Sequence, residues 1–359
     1  MDISISTYQV KRGDTLESVA GQLGISAEAL KRYHNTYCDL KSLIGNDLGG
    51  VHEILIPSSE KIAELKENQT QISLSNSLPS FHLNKGFYAL NYEATERFEQ
   101  PDKKDVIVNY SVSVKISETD GKGFISEVET TEYKKSGEKP NDKISNLSLG
   151  CIESISPLTF IVPVQGKIKG FYDHKALIKK FESKRPELED FFVGEVNRSY
   201  LDKFNTSIKN ENYLLKQFQS ALLYQVLFPE MDCFRRKTEW EESFYVVSNS
   251  FPVKCRFHTQ YDFENPDNVE IIIKGKIRED CSLQELLNGI KLEKSPENQV
   301  TTGEIELLYT TSKTTKQLKK IEASIILLYN GERYQKHDLI LSAKEEEKKV
   351  IKFSTLVEE

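Results

Sequence analysis

Apolar residues recur along this chain with two periods, and the changes between them mark out its parts. Tyr8 and Val10 alternate with Gln9 and Lys11, which predicts a short strand. Leu16, Val19, Ala20 and Leu23 then fall at three-and-four spacing, the stripe of a helix. Leu30 and Tyr33 continue a buried face in a second helix, and Ile54 with Ile56 points to one side of a closing strand. The punctuation agrees with this order. Gly13 turns out of the first strand, and Asp14-Thr-Leu-Glu17 has capping-box spacing, with Asp14 expected as the cap. Gly24 ends the first helix, Ser26 starts the second, and Pro57 stops the last strand. Residues 1–57 are therefore expected to form a βααβ unit.

Periodicity fades after Pro57. Ser58-Ser59 predicts a short helix through Lys66, whereas 68–80 is rich in Ser, Asn and Gln without an apolar face. Residues 58–80 are expected to be a polar linker. From Phe81 the period becomes two. Val106, Val108, Tyr110, Val112, Val114 and Ile116 share one face of an extended run whose other face is polar, as in an antiparallel strand with one solvated side. Strands are also expected over 86–99 and 124–133, joined to the run by an Asp120-Gly turn, and a hairpin over 158–171 around Gln165-Gly166. The middle reads as helices over 144–155, 174–183 (capped by Asp173), 186–192 (opened by Pro186) and 211–227 (capped by Asn210). Strands return over 244–247, 252–263, 269–277, 304–311, 318–329 and 333–342, with one short helix over 282–287. The expected fold class is α+β: a small βααβ module followed by a larger antiparallel-sheet body, 81–359, with a central helical segment. Residues 81–235 and 236–359 are alternative sub-domains of that body. The run from Lys344 to Lys349 reads as a solvated tail entry.

The first unit resembles a LysM domain, the small βααβ module that binds N-acetylglucosamine-containing glycans. Gly13-Asp-Thr-Leu16 followed by Val19-Ala20, the second-helix Asn35 and the terminal Ile56-Pro57 carry the resemblance. It implies a shallow glycan groove between the loop after the first strand and the loop before the second. Gly13, Asp14, Thr15 and Leu16 would form one wall, and Asn46, Asp47, Gly49, Gly50 and His52 the other. The stretch between Asn35 and Pro57 is longer than the family norm, which leaves the second wall reshaped, capped or absent. Capping chemistry alone also accounts for the Gly13 turn, so the turn speaks for the fold before it speaks for sugar.

The net charge of −7 over 359 residues, with both signs mixed, argues against nucleic-acid partners. No apolar run reaches the roughly eighteen residues that span a bilayer. Five scattered cysteines and six scattered histidines form no disulfide framework and no metal spacing, so no metal or cofactor is expected. Catalytic fingerprints for nucleophile elbows, phosphate loops, zinc peptidases and dinucleotides are missing. Cys255 and His258 fall on opposite faces of a strand, and Glu187, Glu189 and Asp190 read as first-turn helix charges. The expectation is a non-enzymatic binding protein that targets its body to peptidoglycan or a chitin-like polymer. The alternative is a cytoplasmic assembly component of a contractile-tail or injection-system baseplate, its LysM-like unit touching other proteins. The absence of an export-signal pattern before Tyr8 favours the alternative and predicts a cytoplasmic location or a signal-independent route of export.

Overall fold

The computed structural model describes residues 6–45, 47–119, 123–291 and 301–344, which divide into two compact units, 1–77 and 78–359. The expected turn at Asp120-Gly121 and most of the 344–349 run lie outside the described residues.

The first unit follows the order β1 (Ser6–Gln9), α1 (Leu16–Leu23), α2 (Ala27–Tyr37), a 3-10 turn at Leu40–Ser42, β2 (Glu53–Ile56) and α3 (Ser59–Ser77). β1 and β2 pair antiparallel, Ser6 opposite Ile56 and Gln9 opposite Glu53. The expected stripe makes its core: Leu16, Val19, Ala20, Leu30 and Ile54 are buried together, joined by Ile25, Ile44 and Leu48. Ser26 caps α2 by accepting the Ala29 amide, and Gly24 closes α1 in the left-handed conformation. The polar stretch after Pro57 is one long helix, not an irregular segment. Its first turns lay Ile62 and Leu65 on the same core, and their apolar contact orders a start that the polar remainder extends.

The second unit is built on an antiparallel sheet of eleven strands in the order β7-β6-β5-β4-β3-β13-β12-β11-β10-β9-β8. These are β3 (Asn91–Glu99), β4 (Val106–Glu118), β5 (Gly123–Lys135), β6 (Leu158–Pro163), β7 (Gly170–Phe171), β8 (Trp240–Phe244), β9 (Val253–Asp262), β10 (Asn268–Ile277), β11 (Thr302–Ser312), β12 (Leu318–Tyr329) and β13 (Glu332–Ala343). One face is buried and the other solvated: Tyr110, Val112 and Val114 of β4 lie inside with Phe160 of β6 and Ile271 of β10. β3 pairs with β13, so the strand blocks from 81–235 and 236–359 share one sheet and one core. The helices α4 (Lys143–Ile155), α5 (His174–Phe191), α6 (Glu195–Lys209), α7 (Glu211–Ser220) and α8 (Leu222–Leu227) cover the buried face, and α9 (Leu283–Asn288) follows β10.

Several expectations are corrected in this middle segment. The helix expected over 211–227 breaks at Ala221, whose backbone is extended; the hydroxyl of Ser220 just before it accepts the Asn249 amide. The break turns Leu222, Val226 and Leu227 fully inward. Pro186 does not open a helix; α5 runs through it, held on both sides by buried Phe181 and Phe192. Glu187 and Glu189 are accordingly mid-helix ion-pair partners of Lys184 and Arg185, not first-turn charges. Helix α6 has no counterpart among the expected elements. The strand expected at 244–247 lies earlier, at 240–244, because the Tyr245 amide is taken by the Gln225 side chain at 2.9 Å.

Both edges of the sheet end in short strands, β7 and β8, and the sheet curls until these edges approach. The Lys167 ammonium, in the β6–β7 turn, bonds to the Glu242 carboxylate on β8. Beside it, Gly166 bridges Glu230, and the Met231 amide donates to the Gln165 carbonyl at 2.8 Å. Inside the curl, Tyr309 and Tyr88 donate their hydroxyls to the Val226 and Leu227 carbonyls, which α8 leaves unpaired at its C-terminus.

Candidate functional site

The first expected wall is a tight turn that the sequence assembles locally. The Asp14 amide donates to the Lys11 carbonyl at 3.0 Å, and Gly13 sits at φ +95°, a conformation in which a side chain is strained. The Asp14 carboxylate turns back into this turn, accepting from the Lys11 amide at 2.8 Å and the Tyr8 hydroxyl at 2.9 Å. That hydrogen bond, with Asp14's charge, raises the Tyr8 phenol above its usual pKa. Asp14 is therefore not the helix cap. Thr15 takes that place, in a reciprocal box in which its hydroxyl accepts the Ser18 amide and Ser18 accepts the Thr15 amide. Gly13 and Thr15 are exposed and Asp14 is half-buried, but Leu16 is only 6% exposed and its side chain belongs to the core.

The second wall begins where the ladder between β1 and β2 ends. The Val10 amide donates to the His52 carbonyl at 3.0 Å, one step past the Gln9–Glu53 pair. The Gly13 turn and the stretch leading to His52 thus leave the same end of the two-stranded sheet. In that stretch Asp47 accepts the Gly49 amide at 3.0 Å, Gly50 has φ +80°, and the Val51 amide donates to the Leu48 carbonyl. Leu48 is buried, while Asp47, Gly49, Gly50 and His52 are exposed. Asn46 lies outside the described residues.

Two α2 side chains hold the lengthened connection. Asn35 grips the Ile44 backbone from both sides, accepting its amide at 2.8 Å and donating to its carbonyl at 3.0 Å. Buried His34 spans two segments, its Nδ1 accepting the Leu55 amide at 2.9 Å and its Nε2 lying 2.7 Å from the Ser42 carbonyl. Since Nδ1 accepts, Nε2 must carry the proton and donate. The extra residues are therefore a folded loop pinned through Ile44 and Leu48. Sequence reasoning placed Asn35 but not this clamp, because both of its partners are backbone atoms.

A family model, LysM domain, matches residues 8–40. The first unit contains a LysM region. The match takes in the whole Gly13–Leu16 turn and stops before Asp47, so the second wall lies in the chain's own extension, and the family does not reach the body. No curated protein matches the chain. Among solved structures, one titled for lipid–protein interactions in lipovitellin is similar at 9% identity and a TM-score of 0.36, over 71% of this chain and 24% of that one. A LolA superfamily protein from Nitrosomonas europaea is similar at 8% identity and a TM-score of 0.19, over 77% of this chain and 94% of that one. The chain thus spans about a quarter of the lipovitellin chain. Likenesses this remote carry no function across.

Chemically, the end of the LysM ladder offers a hydroxyl at Thr15, a carboxylate at Asp47 and an imidazole at His52, all on exposed residues. Such groups can hydrogen-bond sugar hydroxyl and acetamido groups. In the body, burial pushes the thiols of Cys151 and Cys255 up to about 12 and that of Cys281 to about 11, opposite to what a nucleophile requires.

Proposed function

We propose that the LysM domain binds an N-acetylglucosamine-containing polymer, peptidoglycan foremost, and so recruits a non-enzymatic body to it. One observation carries this reading. Gly13 and Thr15 of the family-matched turn are exposed at the same end of the ladder as Asp47, Gly49, Gly50 and His52, so residues of both stretches can face a glycan. The long loop anchors through Ile44 and Leu48 and leaves Gly49, Gly50 and His52 at the surface.

The test is a titration of the full chain with chitooligosaccharides, followed by amide shifts, beside a peptidoglycan sedimentation assay. Saturable shifts at Gly13 to Thr15 and Asp47 to His52, together with co-sedimentation, are expected. If those amides stay still and the protein remains in the supernatant, the glycan reading is lost. Capture of the intact chain by contractile-tail or baseplate proteins would then support the assembly role instead.

A further inference from the structure

We infer that the body holds a small, neutral, apolar ligand in the pocket that opens where the two edges of the sheet meet. The cavity measures about 240 Å³. That leaves room for a ring the size of benzene, which a cavity of roughly 150 Å³ accepts. Its walls are contributed by Phe228, Trp240, Phe244, Ile273, Leu307 and Tyr309, drawn from the strands β8, β10 and β11 and from the end of α8. Seating an apolar body against these walls removes their surface and its own from water, which favours binding.

The mouth is built, and its construction selects for neutrality. Gly166 is buried at φ +94°, and a side chain there would meet the Pro229 carbonyl oxygen at 2.0 Å. This close approach locks the β6–β7 turn onto the 229–231 segment and sets Lys167 at the rim. Lys167 is flanked by Glu230 and Glu242, Glu242 also accepts the Trp240 indole N–H at 3.1 Å, and Arg236 answers Glu230 and Asp232. Every rim charge thus has an opposite partner, three carboxylates sharing two cations. The amides are committed as well: Gln219 donates to the Ile168 carbonyl, and Gln225 exchanges hydrogen bonds with the Tyr245 backbone. A charged ligand would have to break these pairs, whereas a neutral hydrocarbon or aromatic body needs only the apolar walls.

The chain's single tryptophan, Trp240, lines the cavity and reports on it directly. The full-length protein is titrated with the neutral probe N-phenyl-1-naphthylamine while Trp240 is excited. Saturable quenching of Trp240 with sensitised probe emission is expected. Ile273→Phe and Leu307→Phe, which fill the cavity from two strands, are each expected to weaken binding about tenfold or more while melting cooperatively at or above the parent temperature. Probe binding that leaves Trp240 emission unchanged, binding untouched by both folded variants, or no binding overturns the inference. Should neither variant fold, hydrogen exchange of the parent protein decides. Slower exchange at the Ile273 and Leu307 amides with probe supports it, and unchanged exchange overturns it. None of these readouts depends on the LysM domain.

Discussion

At the scale of single residues, the LysM loop depends on two side chains that act on backbone. Asn35→Ala removes both a donor and an acceptor from Ile44. The loss is expected to destabilise the first unit by about 1–3 kcal/mol. Hydrogen exchange should show it as lost protection at the Ile44 amide, with the strand pairing of β1 and β2 retained. Gly13→Ala meets no neighbour within 4 Å but keeps φ near +95°. Its expected cost of roughly 1–3 kcal/mol is backbone strain alone, measurable as a lower melting temperature of the first unit. Residue-scale legibility was uneven for a physical reason. Gly13, Gly24 and Ser26 act within a few residues of themselves and were readable. Asp14 was misassigned because three neighbouring groups, Tyr8, Lys11 and the helix start, compete for one carboxylate, and the turn takes it.

Among elements, α3 and the sheet edges carry the consequences. Ile62 and Leu65 attach α3 to the LysM core. Replacing both with alanine is expected to cost about 1–3 kcal/mol in total, since each is only partly buried, and to abolish exchange protection through the first turns of the helix. A persistence of that protection would mean that α3 is held by its own propensity. At the other unit's edge, Gly166→Ala confronts a carbonyl oxygen and a left-handed backbone together. It should lower the urea midpoint of the body by more than Gly13→Ala lowers that of the first unit, because only Gly166 adds a clash to the strain. Strand faces were legible wherever one side is solvated, as in β4. Helix α6 was not, although Tyr200, Leu201, Phe204 and Ile208 follow a helical stripe: it starts at Gly194, which has no side chain to mark a cap.

For the whole molecule, the buried titratable groups define a limit on the alkaline side. Cys151 and Cys255 ionise at about 12 in the folded chain against an ordinary 9.0, so above pH 9 the unfolded chain releases these protons first. Their contribution to stability is complete below about pH 9 and is lost as pH rises towards 12. Burial pushes the phenols of Tyr88, Tyr110 and Tyr309 up as well, so they act in the same direction. Urea midpoints of the body are expected to fall steadily from pH 9 to 11. The phenolate absorbance of these tyrosines should appear only together with the loss of structure, and phenolate growth in a folded body would refute the assignment.

What the sequence determined by itself is local: the periods of two and three-and-a-half, the turns and caps, and hence the LysM domain and the α+β class of the body. Those features depend on side chains a few positions apart, whose spacing is preserved in any fold of the chain. Only the tertiary structure decided that 59–77 is a helix seated on the LysM core and that the strand blocks meet at β3 and β13. It also decided that Lys167 and Glu242, on opposite edges of one sheet, meet at a pocket lined by Trp240. Those are pairings between residues tens to hundreds of positions apart, and their free energy comes from burying one surface against another, which no local spacing encodes.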